Sequence, residues 1–133
     1  MFFKEKIPNE IEKIAALLIH AAKIDENYSD DEEKIIKKTL LEIGANNQNI
    51  ENIILKAKKI EENSNQILEF TKEVKNMDEI NKIKIVKTLW QIIYSNKEAD
   101  IYETSLMRRL AGLLYIDNKT MGDIKDQVKK ESL

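Results

Sequence analysis

The chain of 133 residues carries 22 Lys+Arg against 24 Asp+Glu, a net charge of −2, with 42% hydrophobic residues, 35% charged residues and no Cys. Such a length fits one domain that buries roughly two thirds of its unfolded surface, and the apolar content is too high for disorder. Balanced, interspersed charge argues against a dedicated nucleic-acid surface, and the lack of Cys excludes disulfides, thiolate zinc sites and cysteine nucleophiles.

The opening MFFKEKIPNE has no apolar core of the kind a signal peptide needs. The longest apolar run, Ile14 to Ala22, is interrupted by His20 and falls far short of the ~20 residues that span a bilayer. A cytoplasmic protein without a membrane span is expected.

Three Gly and one Pro leave little turn chemistry for hairpins, so helices are expected throughout. Ile11, Ile14, Ala15, Leu18, Ala21 and Ala22 recur at helical spacing after Asn9, with Glu12 as its capping-box partner. Ile35, Ile36, Thr39, Leu40 and Ile43 form a second stripe that stops at Gly44, a natural residue for ending a helix. Ile50, Ile53, Ile54, Ala57 and Ile60 make a third, and Ile67, Leu68, Thr71 and Val74 a weaker fourth, after a polar break at EENSNQ, 61–66. From about Asp78 to Tyr94 the helix is apolar on two faces, Ile83, Val86, Trp90 and Ile93 on one and Ile85, Leu89 and Ile92 on the other, which predicts a central position. Leu106, Met107, Leu110, Ala111, Leu113 and Leu114 follow, then Met121, Ile124 and Val128, with the terminal KKESL expected to fray. Trp90, Tyr94, Tyr102 and Tyr115 read as core or boundary aromatics. The expected fold is all-α, about seven helices in a single compact bundle over residues 1–133.

Two segments, about 9–44 and 78–115, share a helix, acidic turn, helix pattern. An offset of 103 − 32 = 71 places Glu32 on Glu103, and the same offset pairs Ser29 with Asp100, Asp25 with Asn96, Leu18 with Leu89 and Ile36 with Met107. Caps and core positions match together, as in an internal duplication.

The first acidic turn presents Asp25, Asn27 and Ser29 at alternate positions with Glu32 following, an oxygen-rich set of the kind hard cations accept. It is not an EF-hand, because the required Gly and bidentate Glu are replaced by Asp30 and Ile36. The same residues also satisfy a purely structural reading: Ser29 with Glu32, and Asp100 with Glu103, are capping boxes, while Asp30 and Asp31 meet the helix dipole. His20 is the single histidine and has no nucleophile to serve, so no catalytic residues are expected. Arg108-Arg109 and Lys37-Lys38 form either a basic patch or a solvated helix side.

The stretches Ile24-Asp25-Glu26-Asn27-Tyr28-Ser29-Asp30-Asp31-Glu32 and Ser95-Asn96-Lys97-Glu98-Ala99-Asp100-Ile101-Tyr102-Glu103 resemble the repeated turn of the TerB-like tellurite-resistance family. That family includes the N-terminal domain of the DjlA co-chaperone, and the LW and RRLAGLL segments look like its small bacterial branch. The resemblance implies about seven helices in two pseudo-twofold-related helix-turn-helix units and a non-enzymatic binding or scaffold role in tellurite or other stress response. It further implies a protein partner and a divalent cation, such as calcium, at Asp25, Asn27, Ser29 and Glu32, with Asp100 and Glu103 as the second-turn counterparts. The chain departs from the family turn where Glu26 and Lys97 replace its glycine and Asn96 its aspartate, and Lys97 sets a cation inside the second turn. The alternative is a pure protein–protein interaction module in which the acidic turns serve only as helix caps.

Overall fold

The computed structural model describes residues 10–24, 28–63, 68–95 and 101–131, with backbone alone at 101 and 102. Among these residues there are seven helices and no strand: α1 (Glu10–Ala22), α2 (Asp30–Glu42), α3 (Ile50–Glu62), α4 (Leu68–Lys75), α5 (Glu79–Tyr94), α6 (Ile101–Leu113) and α7 (Asn118–Glu131). None is long and apolar enough to cross a membrane.

Two helices organise the interior. α5 buries both of its apolar faces, as its sequence predicts, and packs on α2 and α7. α1 goes further than the single stripe read from its sequence: Ala16, Leu17 and Ile19 are also fully buried, because α2, α3, α4 and α5 surround it. Ala15, Ala16, Ala21 and Ala22 are small enough for those neighbours to approach closely. Leu18 and Leu89 are both fully buried, each burial contributing about 1.5–3 kcal/mol.

One polar contact interrupts this apolar packing. Thr39 Oγ1 on α2 lies 2.6 Å from Thr88 Oγ1 on α5, and both residues are buried. Thr88 donates its proton to the Lys84 carbonyl at 2.8 Å, so Thr39 must be the donor between the two hydroxyls.

Several sequence expectations shift by a residue or a face. In α4 the buried side chains are Phe70, Thr71 and Val74, while Leu68 is exposed; so short and weak a stripe does not fix its own rotation. The polar break begins later than expected, since Glu61 and Glu62 complete α3. The C-terminal helix also persists through Lys129–Glu131, where Lys87 lies 3.7 Å from Glu131. The Asn9–Glu12 capping box and Ile67 lie outside the described residues; Glu12 itself is buried, 3.7 Å from Lys56.

α2 and α6 end with the same returning backbone bond. At the first, Gly44 has φ +130 and the Ala45 N–H returns to the Leu40 carbonyl at 2.9 Å. At the second, Tyr115 has φ +58, its N–H reaching Gly112 O at 3.3 Å and Ile116 N–H reaching Ala111 O at 3.0 Å. The second is a full Schellman closure and the first makes its longer bond, and the two positive-φ residues lie 115 − 44 = 71 positions apart. Tyr115, expected as a core or boundary aromatic, is instead 72% exposed because the left-handed turn throws it outward. Beside it, buried Lys82 donates to the Leu114 carbonyl at 3.0 Å. Asn46 in the turn before α3 and Asp117 at the start of α7 make a similar local bond, Asn46 Oδ1 accepting from Asn49 N–H at 3.0 Å and Asp117 Oδ1 from Thr120 N–H at 2.6 Å, although Asn49 caps α3 without a side-chain bond.

Candidate functional site

The first acidic turn delivers Ser29 in extended conformation, φ −90 and ψ 165, as the N-cap of α2. Its Oγ accepts from the Glu32 N–H at 3.1 Å and its own N–H donates to Glu32 Oε1 at 2.8 Å. Both halves of the capping box are therefore made, each satisfying a backbone donor that α2 leaves open. Glu32 is only 2% exposed, and its Oε2 sits 3.5 Å from Ser95 Oγ at the end of α5. Ser95 has one hydroxyl proton and gives it to Ile92 O at 2.7 Å, so that approach is a contact. It nevertheless seats the start of α2 against the end of α5.

Glu33, one residue on, joins a separate network. It accepts from Tyr28 Oη at 3.0 Å and pairs with Lys58 at 3.1 Å and Lys37 at 3.5 Å, while Lys58 Nζ also stands 5.4 Å from the Tyr28 ring centroid. Burial pushes the Glu33 carboxyl up, but the bonds from Lys58 and Tyr28 and the two lysine charges hold it below its ordinary value. Burial first, and then Glu33 itself, push the Tyr28 phenol well above its ordinary value. The remaining first-turn acids, Asp30 and Asp31, are exposed toward solvent near the positive end of the helix dipole.

Of the other predicted site residues, Asp25, Asn27 and Asp100 lie outside the described residues. Glu103 is on α6 and 4% exposed. Burial, then Asp126 and this Glu103, raise the Tyr94 phenol above its ordinary value. Among the described residues no three His, Asp or Glu side chains come together as a metal-binding group.

Two grooves run where helices of the first segment meet helices of the second. One, of about 440 Å³, is lined by His20 and Ile24 of the first segment and by Ser105, Leu106 and Arg109 of the second. The other, of about 320 Å³, has Ile35 and Lys38 facing Gln91, Tyr94 and Ser95, with Val128 and the acidic Glu131 closing it. The grooves share four equivalent positions, since 91 − 20, 95 − 24, 106 − 35 and 109 − 38 each equal 71, while Ser105 in one and Tyr94, Val128 and Glu131 in the other have no counterpart. Each has an apolar floor residue, Leu106 or Ile35, and a basic edge, Arg109 or Lys38.

The family model described as tellurite resistance protein TerB matches residues 12–126. The chain belongs to the TerB family. No curated protein and no solved structure matches it.

Within this TerB domain, sequence spacing located the Ser29–Glu32 pair but missed what surrounds it. His20 Nδ1 lies 3.1 Å from Glu61 Oε2, and Lys23 Nζ donates to Glu61 Oε1 at 2.6 Å. Burial pushes the Glu61 carboxyl up, yet the bonds from Lys23 and His20 hold it below its ordinary value. With one ring nitrogen anchored, His20 is a fixed wall of the first groove. Nothing in the spacing of residues 41 apart could signal that contact.

Proposed function

We propose that this TerB-family protein is a non-catalytic binding module that takes a protein partner along the seam between its two helical segments, acting in the cytoplasm in tellurite or other stress response. The paired grooves carry the reading, because each offers an apolar floor with charge at its edge, Arg109 at the first and Lys38 with Glu131 at the second, suited to a partner helix with apolar and charged side chains. Ser29 and Glu32 support it from the other side, since both are already committed to the cap of α2. On this reading the chain is one domain whose two segments, about 9–44 and 78–115, together make the binding surface.

Photo-crosslinking residues placed at Arg109 and Lys38 in the native host, with exposed Lys72 as control, test it. Adducts to one protein from both groove positions and none from position 72 are expected. Adducts from neither groove sink the proposal.

A divalent cation at the first acidic turn is the second reading, favoured by the buried carboxylate of Glu32 at the turn that also carries Asp25 and Asn27. A bound ion at 100 times its dissociation constant adds about 2.7 kcal/mol to stability. Chelator-treated protein melted against Ca²⁺, Mg²⁺, Mn²⁺ and Zn²⁺ should then show one ion raising the midpoint and Asp25→Ala removing the rise; a flat panel excludes the ion. The same panel on Asp100→Ala reports on the second turn with Glu103.

A further inference from the structure

The surface between α6 and α7 has lost the acids that occupy the corresponding surface of the first segment. There, Lys37 sits between Glu51 at 2.6 Å and Glu33 at 3.5 Å. Adding 71 to 33, 37 and 51 leads to Thr104, Arg108 and Gly122, so the cation is retained while both carboxylates are absent. Adding 71 to Ile54 leads to Lys125, a second cation, whose Nζ stands 5.4 Å from the Trp90 ring centroid.

All of these replacements border one groove of about 190 Å³. Trp90 is in its wall, Thr104, Arg108, Asn118, Gly122 and Lys125 surround it, and no Asp or Glu lines it. Trp90 is 3% exposed and its indole N–H is directed at Met121 Sδ, 3.3 Å away, which fixes the ring. A Cβ at Gly122 would meet nothing within 4 Å, so the missing side chain leaves open space. The neighbouring acids are engaged elsewhere: Asp117 caps Thr120 at 2.6 Å and Asp123 pairs with Lys119 at 3.1 Å. Arg108 has no acidic partner among the described residues.

We propose that this groove binds a phosphate group, free or at the head of a small monoester. The Arg108 guanidinium offers a planar fork of donors, Lys125 adds a mobile second charge, and the Thr104 hydroxyl and Asn118 amide are neutral donors beside them. Two cations without an internal counter-charge suit a dianion better than a lone carboxylate. The groove, of about 190 Å³ and open to solvent, has room for a phosphate with a short attachment.

Trp90 is the single tryptophan, so its emission reports directly on the groove. Titration with inorganic phosphate and with glycerol phosphate at constant ionic strength should give a saturable change, the tighter ligand naming the source. Arg108→Gln should weaken it about tenfold or more, since a hydrogen bond to a charged group is lost. Lys72→Gln, on α4, should leave it unchanged, and circular dichroism checks that each variant is folded. A response that follows ionic strength alone, one that survives Arg108→Gln, or an equal response to acetate overturns the assignment.

Discussion

α2 and α6 leave their last turns through the same returning hydrogen bond, five positions back, but the first does so after Gly44 and the second after Tyr115. A left-handed residue with a side chain costs roughly 1 kcal/mol relative to glycine. Around Gly44 the environment is apolar, with Ile11 Cδ1 3.7 Å from where a Cβ would stand. At Tyr115 the surroundings are cationic: Lys82 donates to the Leu114 carbonyl, and Lys75 Nζ lies 4.5 Å from the Tyr115 ring centroid. Lys82 occupies the position 71 after Ile11, so a packing residue in one segment is an electrostatic one in the other. A helix end that lacks its favoured residue is here supported by cations that satisfy its carbonyl and cover its ring. The comparison teaches that the returning hydrogen bond is kept while the backbone angle, +130 at Gly44 and +58 at Tyr115, and the side chains around it differ.

The sharpest test of equivalence lies in the core. Leu18→Ala and Leu89→Ala should each lower stability by about 2–5 kcal/mol in denaturant unfolding. A difference between them larger than that range would mean that the two segments carry unequal parts of the core. Next in size, Lys82→Met should cost about 1.5–3 kcal/mol by stripping a charged donor from the Leu114 carbonyl. Ile11→Val, at the matching position, should cost about 0.5–1.5 kcal/mol, its loss being packing alone. If the two substitutions cost the same, the electrostatic account of α6 fails.

Smaller effects of opposite sign are expected at the closures themselves. Gly44→Ala should destabilise by about 1 kcal/mol through backbone strain, since the added Cβ would meet Ile11 Cδ1 only at the ordinary contact distance of 3.7 Å. Tyr115→Gly should relieve strain but lose the Lys75 contact, leaving a net gain under about 1 kcal/mol in thermal melts. A clear loss there would show that the ring contact outweighs the strain.

Acidification should separate the segments last. Glu33 has its carboxyl held below the ordinary 4.5, so its contribution is complete above that value and lost as pH falls through the folded-state value. Its counterpart Thr104 does not titrate. Hydrogen exchange below pH 4.5 should show α2 and α3 losing protection, and Glu33→Gln should flatten that response; an unchanged profile in the variant would remove Glu33 as the cause.

What could be read from the sequence was local. Ser29 with Glu32 and the stop at Gly44 are chemistry within a few residues, and apolar spacing placed the strong helices. Phe70 escaped because about two turns of weak stripe leave rotation to the neighbours. Tyr115 escaped because tyrosine carries no turn signal, although its distance from Gly44 matched an offset already visible in the acidic turns. The Glu61 contact to His20, and the grooves, depend on which helices meet, and spacing along one chain does not encode that.

The Thr39–Thr88 hydroxyl pair has a further consequence. Apolar helix faces tolerate sliding by a turn at modest cost, whereas two buried hydroxyls in series, each proton already assigned, are satisfied in one alignment only. Replacing both by valine would preserve buried volume and leave no polar atom stranded, yet it would remove the pin that sets the register of α2 along α5, the helices whose meeting frames one of the grooves.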